Sequence, residues 1–275
     1  MMDGEQLLEF EHEVADLEYV PKKAAKKRVI LKTRTGEEVE VDYLGEDYYG
    51  THNGKEVWCP IYSFEAVKVL CAEIRYAQMH GWDQPILVTG REGAGKSSLI
   101  MHMIYQLDPH FDLNNIAWDL EDFFIRAKDA KPLDIIWMDE AGEAAYYADW
   151  MKKGQKELVK SFLRRRIKRL VYFIALPHRS LLNFQLRERR VFWWIDVFAV
   201  DWDDRGYAQV RKAPISQNRW SPQNYWRGYF TLRFPSFESL CPDIWRQYEE
   251  IKMRRVEELD ARDAQEVMRR AKNQA

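Results

Sequence analysis

Apolar residues in this chain fall in short blocks, separated by polar or glycine-bearing stretches. Residues 85–89, 133–140, 170–176 and 191–200 are the strongest of these. Each is short, and β-branched and aromatic residues dominate, as in strands buried on both faces. Between them the period changes to that of a helix. Phe64, Val67, Cys71, Ile74 and Gln78 share one face of a segment that Ser63 is placed to cap and Gly81 to stop. Residues 98–105 continue helically, and 119–130 repeats the pattern with Phe123, Phe124 and Ala127 inward. A long helical stretch is predicted over 151–169 and a short one over 181–190.

The flanks read differently. Residues 29–33 and 39–43 have strand character, and Asn53-Gly54 marks a hairpin turn between Tyr48-Tyr49 and Val57-Trp58. A turn at 203–206 folds the 191–200 strand back into 207–210. Residues 214–240, rich in Trp, Tyr and Pro, read as irregular. Pro242 opens a final helix to about residue 270, with Ile244, Tyr248, Ile251, Val256 and Leu259 on its buried side. Strand, crossover and strand recur through the centre. The expected fold is α/β, a three-layer α/β/α core with a mainly parallel sheet, a small N-terminal β element and a C-terminal helix. The expected divisions are a charged arm at 1–28, the β element at 29–60, the core at 61–212, and the aromatic segment with the last helix at 213–275.

Composition narrows the class. The 275 residues are 46% hydrophobic and 31% charged, enough for a sizeable core. A formal net charge of −2 excludes a uniformly basic surface and leaves room for a local basic patch. Cys59, Cys71 and Cys241 are widely spaced and form no zinc or disulfide pattern, which fits a reducing compartment. Residues 1–20 hold seven acidic residues and no Lys or Arg, and the first residues have no signal-peptide pattern. No apolar run approaches the ~20 residues of a membrane span. Those features suggest the cytoplasm, or a host's cytoplasm or a virion if the protein is viral.

The chemistry centres on Gly90, Arg91, Glu92, Gly93, Ala94, Gly95, Lys96 and Ser97, which read G-x-x-x-x-G-K-[ST]. Such a loop turns backbone N–H groups toward a polyphosphate at a helix N-terminus. Ser98 opens the helix behind it. Lys96 supplies a cation for the β- and γ-phosphates, and the Ser97 hydroxyl is a Mg²⁺ ligand. The 133–140 run ends in Asp139 and Glu140, placing Asp139 at the metal and Glu140 as the base that orients the attacking water. A short strand at 115–118, between these two motifs, predicts a P-loop NTPase core in which 170–176 inserts between the P-loop strand and the Asp139 strand. No N-K-x-D guanine motif is present, so ATP is favoured over GTP.

Beyond 170–176, His178 is the candidate γ-phosphate sensor, with Ser180 second. Arg187, Arg189 and Arg190 are candidates for an arginine supplied in trans, salt-bridging being the alternative. Arg164, Arg165, Arg166, Lys168 and Arg169 form a basic helix end. The helix dipole is a sufficient reason for it; binding to DNA phosphates is the functional one.

With these residues the chain resembles the FtsK–HerA superfamily of DNA-pumping ATPases, especially the small versions carried by viruses and plasmids, and the related zonular-occludens-toxin-like ATPases. The likeness rests on residues 90–97, 135–142, 149–153, 164–169, 176–177 and 181–190, and spans roughly 60–212. That superfamily commonly has Gln at the end of the sensor strand, where this chain has Pro177-His178. The resemblance implies ring oligomers, an arginine in trans and duplex DNA moved by ATP hydrolysis, in packaging, conjugation or segregation. Two other readings fit the motifs: an AAA+-like loader or replication initiator, and a nucleotide-gated adaptor with little turnover.

Overall fold

The computed structural model describes residues 22–52, 55–139, 160, 164–182, 187, 190–201, 205–213 and 227–274. The N-terminal acidic segment, the Asn53-Gly54 turn, Glu140, the helix predicted from 151 up to residue 159, Arg189 and residues 214–226 lie outside the described residues.

A ten-stranded sheet forms the centre. Its strands are β1 (Lys22–Lys32), β2 (Glu38–His52), β3 (Lys55–Tyr62), β4 (Gln84–Thr89), β5 (Ile116–Ala117), β6 (Ile135–Met138), β7 (Val171–Leu176), β8 (Trp193–Asp201), β9 (Arg205–Lys212) and β10 (Arg227–Pro235). The spatial order is β1-β2-β3-β10-β9-β8-β4-β7-β6-β5. The half from β8 to β5 is wholly parallel. β1-β2-β3 and β10-β9-β8 are antiparallel, joined by the parallel β3–β10 pair. As expected, β7 separates β4 from β6.

Side chains alternate along the parallel strands, and both faces are covered. Ile86 and Val88 of β4 join one core with Phe173 of β7 and Trp137 of β6. Leu87, Ile174 and Ile136 join the other. The first core is roofed by α1 (Ala66–Met79), α2 (Lys96–Leu107), a single turn α4 (Phe237–Leu240) and the start of α5 (Pro242–Gln274). The second is roofed by α3 (Leu120–Asp129), through Phe123 and Ala127. Alternate burial on both faces explains the continuous apolar runs in sequence, and the α/β/α layering is as predicted.

Four local readings need correction. Ser63 does not cap α1: its hydroxyl accepts the Asp42 N–H of β2 at 2.9 Å, and the N-cap is Glu65, which makes no side-chain cap bond. The β element is not a separate unit, because β10 splices it into the common sheet. β1 begins at Lys22, inside the stretch read as an arm. Residues 227–235 form a strand, not irregular chain, with Phe230, Leu232 and Phe234 buried at a period of two.

The N-terminal edge of the parallel strands is built from unusual turns. Leu133 (φ 74°) and Arg169 (φ 53°) both take left-handed conformations. The fully buried Gln78 amide donates to the carbonyl oxygens of both, at 3.4 and 2.7 Å. That satisfaction keeps two strained turns together beneath β6 and β7.

Candidate functional site

The loop 90–97 leaves the C-terminal end of β4 and enters α2. Gly95 has φ 91° and is the N-cap of α2, and Gly93 has φ 74°; both left-handed conformations suit glycine. Gly90 is needed for space as well: a Cβ there would lie 2.2 Å from the Val197 carbonyl oxygen of β8. Gly90 N–H donates to the Pro177 carbonyl at the end of β7. Phe234 of β10 packs beneath the loop, 3.5 Å from where a Gly95 Cβ would be. Lys96 Nζ donates to the Gly90 and Arg91 carbonyl oxygens at 2.6 and 3.1 Å, so its ammonium crosses the mouth of the loop. Ala94 packs against the core, and Arg91 and Glu92 are exposed. The Ser98 hydroxyl is turned away from the loop and accepts the Phe237 N–H of α4 at 2.6 Å.

Thr89, the last residue of β4, is fixed from the side. Its hydroxyl donates to Asp196 Oδ1 at 2.6 Å and accepts the Trp194 indole N–H at 2.8 Å. Arg211 and Arg179 stack over the Trp194 ring, 3.9 and 4.8 Å from its centroid. The loop thus stands on a polar clamp supplied by β8 and β9.

Asp139 directly follows β6 and is 5% exposed. Its N–H donates to the Ala117 carbonyl of β5 at 3.0 Å. The Tyr248 hydroxyl of α5 donates to Asp139 Oδ2 at 2.5 Å, a charge-assisted bond. The Ser97 side chain lies beside the Tyr248 hydroxyl. Lys252, one turn further along α5, has its Nζ 3.3 Å from the Tyr248 oxygen and 3.8 Å from Asp139 Oδ2. Burial first, then the Asp139 charge, push the Tyr248 phenol well above its ordinary range, so it holds its proton. Its ring stacks on Trp137 at 5.2 Å and Trp118 at 6.1 Å, with Trp245 tilted alongside.

Ser97 and Asp139 are therefore brought together at Tyr248, a residue whose spacing in the sequence marks it only as part of the core. The helical spacing of Tyr248 announced a buried position and hid its hydroxyl. The four-residue spacing of Tyr248 and Lys252 puts the two on one helix face and says nothing of Asp139. One hydroxyl and one carboxylate are hard oxygen donors of the kind that suit Mg²⁺, which usually takes one or two carboxylates together with phosphate oxygens. Among the described residues no cluster of three or more His, Cys, Asp or Glu is arranged to hold a metal.

The other candidates disperse. His178 is exposed; its Nδ1 accepts the Ser180 N–H at 3.2 Å and lies 2.7 Å from the Ser180 hydroxyl, capping a short turn just after Pro177. Arg187 donates to the Arg179 carbonyl at 3.3 Å. Arg190 pairs with the buried Asp83, which precedes β4 and so sits at the opposite end of that strand from the loop. Desolvation raises the Asp83 carboxyl, and the Arg190 charge opposes this. Lys168 caps the end of α3, donating to the Lys128 and Ala130 carbonyl oxygens at 2.7 Å each. Arg164, Arg166 and Arg169 line an open concavity with Gly81 and the exposed Ile167, and Arg166 lies 5.3 Å from the Trp82 ring centroid. Arg165 is half-buried beside them.

A phosphate-loop turn between a central parallel strand and a helix, with an Asp two strands away, defines a P-loop NTPase fold. No protein-family profile matches the chain, and no curated protein matches it. Among solved structures, a KaiC-like protein from the hyperthermophilic archaeon Pyrococcus horikoshii OT3 is similar at 14% identity and a TM-score of 0.36, over 56% of this chain and 90% of that one. A likeness that distant carries no functional argument. No helix among the described residues is long and apolar enough to cross a membrane.

Proposed function

We propose that this protein binds ATP at residues 90–97 and hydrolyses it, and that hydrolysis drives movement of DNA. The observation that carries the first half is the left-handed Gly95 cap at the start of α2, set two strands from the buried Asp139. Backbone N–H groups of the loop would bind the phosphates, with Lys96 moving from the loop carbonyls to the β- and γ-phosphates. Ser97 and Asp139 would hold Mg²⁺. A bound Mg²⁺ would supply neutralisation of the phosphate charge there. Glu140, next to Asp139 in sequence, would orient the attacking water. His178 is kept as sensor because Pro177 is bonded to Gly90. Arg187 and Arg189 are retained as arginines supplied in trans within a homo-oligomeric ring; the pairing of Arg190 with Asp83 favours its structural role.

The DNA half is supported by Arg164, Arg166 and Arg169 around one concavity, beside Trp82. ATP hydrolysis is expected to accelerate with DNA, and mass in ATP is expected to report a ring. Lys96→Ala and Glu140→Gln should both lose turnover, and Glu140→Gln should keep ATP binding. Undiminished hydrolysis in both variants would refute the assignment. The adaptor reading is favoured by one observation, the contact of α5 with Asp139. It predicts tight ATP binding, negligible turnover and a co-purifying partner.

A further inference from the structure

We propose that Tyr248 and Lys252 compete with the divalent cation for Asp139, so that the C-terminal helix sets the metal affinity of the nucleotide site. The inference rests on reading Ser97 and Asp139 as the cation's ligands, and it adds two residues to that site.

Three observations carry it. First, the Tyr248 hydroxyl is bonded to Asp139 Oδ2 at 2.5 Å, with the Ser97 side chain beside it. A cation held by both would have to share them with this phenol. Second, the Lys252 ammonium is 3.8 Å from the same carboxylate oxygen. Positive charge at that distance already offsets part of the carboxylate's charge, and so part of its attraction for a second cation. Third, the two residues differ in freedom. Tyr248 is 1% exposed and stacked on Trp137 and Trp118. Lys252 has a side chain 40% exposed on a four-carbon stem. The ammonium is thus the part able to swing into solvent, while the phenol stays beside the site and reclaims the carboxylate when the cation leaves. Both come from one face of α5, one turn apart. Any load on that helix is felt at Asp139, and any cation at Asp139 is felt by the helix, since such coupling is reciprocal.

The test is Mn²⁺ affinity, read by electron paramagnetic resonance on the full chain with ADP present. Lys252→Gln is expected to tighten Mn²⁺ binding about two- to fivefold, the range for losing one partly exposed charge contact. Tyr248→Phe, which keeps the stacked ring, is expected to tighten it as well. Lys252→Arg, which keeps the charge, should stay near wild type. Equal or weaker Mn²⁺ binding in both Lys252→Gln and Tyr248→Phe overturns the proposal. Asp139→Asn separates this from failure of the underlying reading. If Asp139→Asn loses Mn²⁺ while the α5 variants are unchanged, the competition alone is refuted. If Asp139→Asn binds Mn²⁺ as wild type does, the assignment of the metal site is itself wrong.

Discussion

A methyl group at residue 90 would have to share space with the Val197 carbonyl, whereas one at residue 93 would meet nothing within 4 Å. Both residues have positive φ, 151° at Gly90 and 74° at Gly93, and only Gly90 is crowded as well. Gly93→Ala is expected to cost about 1–2 kcal/mol, the price of a left-handed residue with a Cβ. Gly90→Ala should cost clearly more, because β4 and β8 must part as well. Urea unfolding of the two variants checks the order, and equal losses would refute the crowding at Gly90. A second prediction concerns His102 in α2, which is 6% exposed and bonded to the Pro235 carbonyl at 2.9 Å. Burial pushes its imidazole down to about 4, opposed by that carbonyl bond. A folded value below the unfolded one means that the stability is fully present above about pH 6.5 and is lost as pH falls from there toward 4. The loss at the acid end is about 3 kcal/mol. His102→Phe should flatten that part of the stability–pH curve relative to wild type.

At the scale of elements, Lys168 and its arginine neighbours come apart. Lys168→Ala removes the side chain that satisfies the last carbonyls of α3, and should cost about 1 kcal/mol without changing DNA affinity. Arg164→Ala and Arg166→Ala should instead weaken DNA binding and reduce its salt dependence by about one unit of slope each. Salt-titrated binding of the three variants distinguishes the roles. The same segment shows why some elements were legible and others not. Residues 85–89 and 170–176 are buried on both faces, so their apolar runs announced strands β4 and β7, and the P-loop and Asp139 followed from the strand ends. β10 is not legible because its alternation of Phe230, Leu232 and Phe234 is embedded in Trp- and Pro-rich surroundings, and its partner β3 is remote in sequence. Ser63 looked like a cap because its type suits one, but a strand N–H reached its hydroxyl first. The role of Tyr248 depended on how a distant helix lies across β6, which no local spacing encodes.

At the scale of the whole molecule, one sheet carries both the nucleotide loop and the N-terminal hairpins. The link is a single strand, β10, whose Phe234 ring covers Gly206 on β9 and reaches the loop at Gly95. Phe234→Ala is therefore expected to cost about 3–5 kcal/mol and to loosen the phosphate loop together with the sheet. Thermal unfolding and nucleotide affinity should fall in parallel, and loss of stability without loss of affinity would refute the link.

The placement of β10 also bears on how the chain is made. A ribosome releases β1, β2 and β3 early, and the strand that must lie against β3 is among the last to emerge. From its own emergence until that of β10, β3 presents an unpaired edge, the kind of surface that recruits other chains. Chaperone dependence during translation, and insolubility of a product terminated before residue 227, follow from a sheet whose keystone arrives last.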